Sequence, residues 1–130
     1  MSVLVDSTIW SLALRRKTAA APEVDLLRRL VRRDEARIIG AVRQEVLSGI
    51  RSQADFIIIR DRLRAFPDIT LAEKHHERAA EFYNTCRTHG VQGSSTDFLI
   101  CAVADMEQMQ VFTTDDDFER YARHLPIDLL

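Results

Sequence analysis

The stretch SVLVDSTIW, residues 2–10, sets a carboxylate at the mouth of a buried strand. Val3, Leu4 and Val5 form an unbroken apolar run of the kind that fills a strand covered on both faces. Asp6 ends that run, and Ser7, Thr8, Ile9 and Trp10 open a helix. Asp, Ser and Thr at a helix start accept bonds from the free N–H groups of the first turn, so an N-cap is one explanation for Asp6. A functional acid is the other. The choice turns on whether further acids converge on the same place.

Working outward, short apolar strands alternate with amphipathic helices. Strands are expected at 2–5, 36–40, 68–71, 111–114 and 126–128. Helices are expected at 7–16, from Pro22 to about 33, at 42–50 with a close near Gly49, and at 53–65. Three more follow at 72–90, 95–109 and 116–124. FIII (56–59) also fits a strand, but the charges flanking it favour helix. This alternation predicts an α/β domain with a mainly parallel sheet and helices on both faces. Such folds gather their sites in the crevice at the carboxyl ends of the strands. Asp6 sits at one such end, and Asp115 at another, directly after Val111–Thr114.

The bulk numbers agree. A chain of 130 residues with 46% hydrophobic content predicts one domain, residues 1–130, around one core. Charged residues are well mixed at 29%, which argues against disorder. The expectation is a cytoplasmic chain without a secretory leader, since no basic segment precedes an apolar stretch near Met1. No apolar run approaches the roughly 18 residues of a membrane span. Cys86 and Cys101 match no metal spacing and read as buried free thiols. Trp10 reads as a core or dimer contact rather than a base-stacking platform, and His75 and His76 as exposed on their helix. The net charge of −2 hides an asymmetry: residues 15–64 hold 13 Lys/Arg against 7 Asp/Glu, and the rest holds 5 against 13. That division suggests a surface for an anionic partner beside a carboxylate-rich site. Much of the excess serves solvation, as in LLRRLVRR (26–33), where Leu26, Leu27, Leu30 and Val31 form the apolar stripe.

Two more acids complete a constellation. Asp97 opens a helix so apolar that it must lie in the core, although Ser94-x-x-Asp97 also fits a capping-box variant. Glu45 follows the apolar Val42 by three positions and so lies beside the buried stripe of its helix, not opposite it. Each acid alone has a structural explanation. Together they suit a hard cation: Mg²⁺ and Mn²⁺ take oxygen ligands and bind phosphates alongside one or two carboxylates. Such an ion activates water and neutralises charge on an attacked phosphoryl group. Without it, clustered carboxylates repel.

VDSTIW (5–10), QEVLSGI (44–50), STDFLICAVA (95–104) and TTDDDFE (113–119) resemble, in order and spacing, the four motifs of PIN-domain ribonucleases, and most of all the VapC-type toxins of toxin–antitoxin pairs. No single motif is specific, but the ordered set is, and it covers essentially the whole chain. The resemblance implies a three-layer α/β/α fold with a mainly parallel central sheet of four to five strands, and Mg²⁺- or Mn²⁺-dependent endonucleolytic cleavage of RNA. It also implies a homodimer, and a small cognate antitoxin whose tail occupies the active groove. Carried over residue by residue, the four acids fall on Asp6, Glu45, Asp97 and Asp115, with Asp117 a marginal further ligand. Ser7 and Thr114 match the small polar positions beside the first and fourth acids. The run Asp115–Asp117 leaves the fourth ligand open among three aspartates. Arg43 and Arg51, flanking the Glu45 helix, are the candidate phosphate contacts. The alternative is a catalytically weak PIN-like binding module, which the presence of all four acids disfavours.

Two other α/β classes are excluded. A phosphorelay receiver needs a lysine on a late strand, and the only lysines are Lys17 and Lys74. A haloacid-dehalogenase phosphatase needs a second aspartate two residues after the first, where this chain has Thr8.

Overall fold

A computed structural model of the chain describes residues 1–15 and 21–130. Its elements are β1 (Val3–Val5), α1 (Ser7–Leu14), α2 (Pro22–Arg32), β2 (Ala36–Arg37), α3 (Gly40–Leu47) and α4 (Gln53–Leu63), followed by α5 (Glu73–Thr88), α6 (Ser95–Met106), β3 (Gln110–Phe112) and α7 (Asp117–Ala122). The expected end of the first helix at residue 16 falls outside the described residues.

The sheet is parallel, in the order β2-β1-β3, with Leu4 of β1 opposite Arg37 on one side and Val111 on the other. Val3, Leu4 and Val5 are all buried. Successive side chains of a strand point to opposite faces, so both faces of β1 are covered. On one side α6 packs against β1 and β3 and is backed by α5; α1, α2, α3 and α4 pack among themselves around the other elements. Residues of all three strands and of every helix join one core, with Trp10, Phe98, Phe118 and Tyr121 its largest fully buried side chains. Trp10 is therefore core; its indole N–H donates to the Val5 carbonyl at 3.2 Å.

Among the described residues three strands form where four to five were expected, for a local reason. Parallel bridges at Ile38–Asp68 and Val111–Leu129 add one more chain segment to each outer strand, but neither grows into a ladder. Pro67 and Pro126 stand at the entrances to those segments, and proline has no N–H to donate. The helix reading of FIII holds: residues 56–59 lie inside α4. His75 corrects an expectation. It is 2% exposed, not solvated, and shares the buried stripe of α5 with Ala79, Phe82 and Cys86. Its Nδ1 accepts the Ala72 N–H at 3.0 Å, so Nε2 carries the proton that faces Glu107 at 2.9 Å. Both cysteines are free and buried.

Parallel neighbours end on the same edge of the sheet. The chain leaving β1 at Asp6 and the chain leaving β3 at Thr113 consequently emerge side by side, and the Asp6 N–H donates to the Phe112 carbonyl at 2.9 Å.

Candidate functional site

Asp6 occupies the N-cap position of α1, yet its carboxylate caps nothing. Only its main-chain carbonyl serves the helix, accepting from Ile9 at 3.1 Å and Trp10 at 3.3 Å. Oδ2 instead accepts two hydroxyls, Thr113 at 2.7 Å and Thr8 at 3.0 Å. Each hydroxyl in turn accepts a main-chain N–H from the loop after β3: Asp115 to Thr113 at 3.0 Å, and Thr114 to Thr8 at 3.1 Å. This network ties Asp6, 3% exposed, to the segment that carries Asp115. The Ser7 hydroxyl lies 3.4 Å from Asp6 Oδ1 and donates to Glu45 Oε1 at 2.5 Å, which brings α3 to the same edge.

Asp97 is presented by the first turn of α6. The Ser94 hydroxyl accepts its N–H at 3.1 Å, so the capping bond expected from sequence forms through the main chain, while Asp97 Oδ2 accepts the Tyr121 hydroxyl at 2.7 Å. One carboxylate oxygen from each of Asp97, Asp115 and Asp117 lies within 4.8 Å of the others, and all three residues are half-buried. Burial pushes the Asp97 carboxyl above its usual range, and the charges of Asp6 and Asp115 push it further; the hydroxyls of Tyr121 and Ser94 oppose them without prevailing. Asp97 thus feels the charges of Asp6 and Asp115. An all-oxygen donor set of this kind, with repulsion that a cation would relieve, fits Mg²⁺ or Mn²⁺ and not a soft metal.

Asp117, placed at the margin by the sequence, is one of this trio, although its carboxylate also pairs with Arg120. Asp116 is exposed. Asp115 Oδ1 accepts the Asp117 N–H at 2.9 Å, which sets both carboxylates on one turn. Asp6 and Glu45 are not of the trio: Asp6 is tied to the loop that carries Asp115 through Thr113, and Glu45 to Asp6 through Ser7. Ser7, Glu45 and Thr114 share a cleft of about 380 Å³ with Thr8, Ser11, Leu12 and Arg15. Arg15 also lines a groove of about 710 Å³ beyond, together with Arg51 and Arg62. Arg43 lines neither hollow and is engaged within the fold: its guanidinium bonds Asp68 Oδ1 at 2.9 Å, the Leu63 carbonyl at 3.0 Å and the Phe66 carbonyl. A more apolar cavity of about 430 Å³ between α5 and α6 includes none of these acids in its lining.

Sequence reasoning missed Thr8, Thr113 and Tyr121. A hydroxyl two residues after Asp6 was a faint signal for Thr8. Nothing in the local pattern around Tyr121 points to Asp97.

A family model, the PIN domain, matches residues 3–124. Similar solved structures include FitAcB from Neisseria gonorrhoeae (TM-score 0.79, 18% identity, 98% of this chain and 96% of that one). VapBC2 from Rickettsia felis, bound to a DNA fragment from their promoter, gives a TM-score of 0.75 at 18% identity over 100% of this chain and 98% of that one. VapBC-1 from nontypeable Haemophilus influenzae gives 0.71 at 16% identity, covering 100% and 97%. At such identities the likeness speaks for the fold. Comparison with curated proteins finds no match.

Proposed function

The chain belongs to the PIN-domain family, and from that membership we propose that it is a divalent-metal-dependent endoribonuclease, the VapC-type toxin of a toxin–antitoxin pair. PIN domains are generally nucleases and typically use divalent metals. The observation that carries the finer reading is the trio of carboxylate oxygens within 4.8 Å, joined at the same sheet edge by Asp6. Residues 1–130 act as one PIN domain, at work in the cytoplasm where its RNA is; no helix among the described residues is long and apolar enough to cross a membrane.

Asp97, Asp115 and Asp117 would hold Mg²⁺ or Mn²⁺, with Asp6 tied to the segment that carries Asp115 and Glu45 joined to Asp6 through Ser7. A bound ion of this class lowers the pKa of water and neutralises charge developing on a phosphoryl group. The chain's own part is positioning. Thr8 and Thr113 hold the Asp6 carboxylate from one side, which leaves its Oδ1 directed to Ser7. Ser7 fixes Glu45, and the Thr114 side chain lines the same cleft, where a scissile phosphodiester would lie. From there the groove shared by Arg15, Arg51 and Arg62 offers cations to the RNA backbone. The homodimer is supported by the VapC-type motif order, and the small antitoxin by that order and by the name VapBC that similar structures carry.

Incubating the purified protein with RNA tests this reading. Internal cleavage should appear with Mn²⁺ or Mg²⁺, stop with a chelator, and be lost in Asp115→Asn. A wild type that takes up Mn²⁺ yet cuts no RNA under any condition would point to the non-catalytic module instead.

A further inference from the structure

We infer that Tyr121 is the positioning residue for Asp97, and that position 93 is glycine to make room for the Tyr121 hydroxyl. The inference rests on the metal-dependent reading above and assigns a further part of that site. Tyr121 lies on α7, its side chain fully buried, with its ring 5.0 Å from Phe98 and 5.2 Å from Phe118. Packing on two sides fixes the ring, so its hydroxyl has one place to go. That place is Asp97 Oδ2, at 2.7 Å.

Gly93 is the counterpart. A Cβ there would stand 2.3 Å from the Tyr121 hydroxyl oxygen, 2.7 Å from Cζ and 2.9 Å from Cε1, closer than real Cβ atoms come. Gly49 and Gly90 have positive φ, at +84° and +74°, whereas Gly93 does not. The glycine at 93 is thus explained by space and not by backbone freedom. The loop before α6 stands open for the phenol at the point where α6 offers its acid.

Asp97 is thereby held at both ends. Ser94 takes its N–H, and Tyr121 takes one carboxylate oxygen. With both fixed, the carboxylate stays in the rotamer that brings an oxygen within 4.8 Å of Asp115 and Asp117. Outer partners of this sort orient a ligand before the ion arrives, and their loss costs about 10–100-fold in metal affinity or activity.

Tyr121→Phe keeps the ring and removes the bond. Calorimetric titration of Mn²⁺ into the metal-free variant should give binding about ten- to a hundred-fold weaker than wild type. Melting in chelator should shift little, and RNA cleavage should show a lower kcat with KM unmoved. Gly93→Ala, checked for folding by circular dichroism, should weaken Mn²⁺ binding in the same direction, and it decides the matter if Tyr121→Phe does not fold. Wild-type Mn²⁺ affinity in a folded Tyr121→Phe or Gly93→Ala protein overturns the positioning role and leaves the metal reading intact. A wild type that takes up no Mn²⁺ overturns both.

Discussion

Asp97 is asked to be two things at once, a buried group and a charge. Burial raises its pKa above the ordinary 3.8, with Asp6 and Asp115 adding to the effect. A carboxyl whose folded pKa exceeds its unfolded value favours the folded state in its neutral form. Its penalty is therefore absent well below the ordinary value and complete above the folded value, so metal-free stability falls as pH rises through that window. Asp97→Asn removes the charge, keeps an oxygen for the Tyr121 hydroxyl, and leaves the Ser94 bond to the main chain in place. Melting of the metal-free variant at neutral pH should be no lower than wild type, and higher by at most a few degrees. Its advantage should vanish toward acid pH. Mn²⁺ should stabilise wild type by binding only the folded state, and the variant far less. A variant that gains as much from Mn²⁺ as wild type would deny the Asp97 carboxylate its part in holding the ion. At this scale the acids were legible, because carboxylates at strand ends and helix starts stand out against apolar runs. Their hydroxyl partners were not. Thr113 reaches Asp6 across 107 positions and Tyr121 reaches Asp97 across 24, and no local pattern encodes a contact that the fold alone creates.

Among elements, the sequence's signals served well where a single residue sets a boundary and less well at the edges of the sheet. The α5 end shows the first case. Gly90 in the left-handed region follows the last turn, with the Val91 N–H on the Cys86 carbonyl at 2.8 Å and the Gly90 N–H on Arg87 at 3.0 Å. That stop was readable from the glycine alone. The segment after Pro67 shows the second, since an edge with one neighbour makes a bridge where its apolar pattern promised a strand. Spacing also held the answer for His75: positions 75, 79, 82 and 86 trace one helical face, and a polar side chain can join that face when its nitrogens are satisfied. Arg43 carries the clearest consequence at this scale. It clamps α3 to the last carbonyl of α4, at Leu63, to the Phe66 carbonyl in the segment that follows and to Asp68, with its side chain 21% exposed. Arg43→Met keeps the stem and strips the guanidinium; the Leu63 carbonyl keeps the Phe66 N–H, while the Phe66 carbonyl and the Asp68 carboxylate lose this donor. Loss of about 1–3 kcal/mol is expected in urea unfolding, with RNA affinity unchanged. Weaker RNA binding at unaltered stability would restore Arg43 to the phosphate-binding role suggested by its place in the sequence.

Over the whole molecule, the charge asymmetry becomes a path. Many arginines of residues 15–64 do what solvated helices ask of them: Arg28 pairs with Asp25, Arg37 with Asp34 and Arg64 with Asp61, all at a spacing of three. Exposed pairs of this kind add little to stability. Arg15, Arg51 and Arg62 are arranged differently: all three line one groove, and Arg15 also lines the cleft that holds Glu45 and Ser7. Composition could announce an anionic partner, but only the fold could separate these three from the rest. If RNA lies along that groove, each arginine neutralises phosphate, and binding falls with salt as condensed ions are released. Arg51→Glu and Arg62→Glu should each weaken RNA binding in chelator. Each should also lower the slope of log affinity against log salt by about one. The reversal Arg29→Glu on α2, an exposed position outside both hollows, serves as the control for net charge and should change the slope little. Anisotropy titrations of a labelled RNA at a series of NaCl concentrations measure all three. Equal slopes for the groove variants and the control would mean that the protein attracts RNA only through its overall field, and the path from the acidic site along Arg15, Arg51 and Arg62 would be wrong.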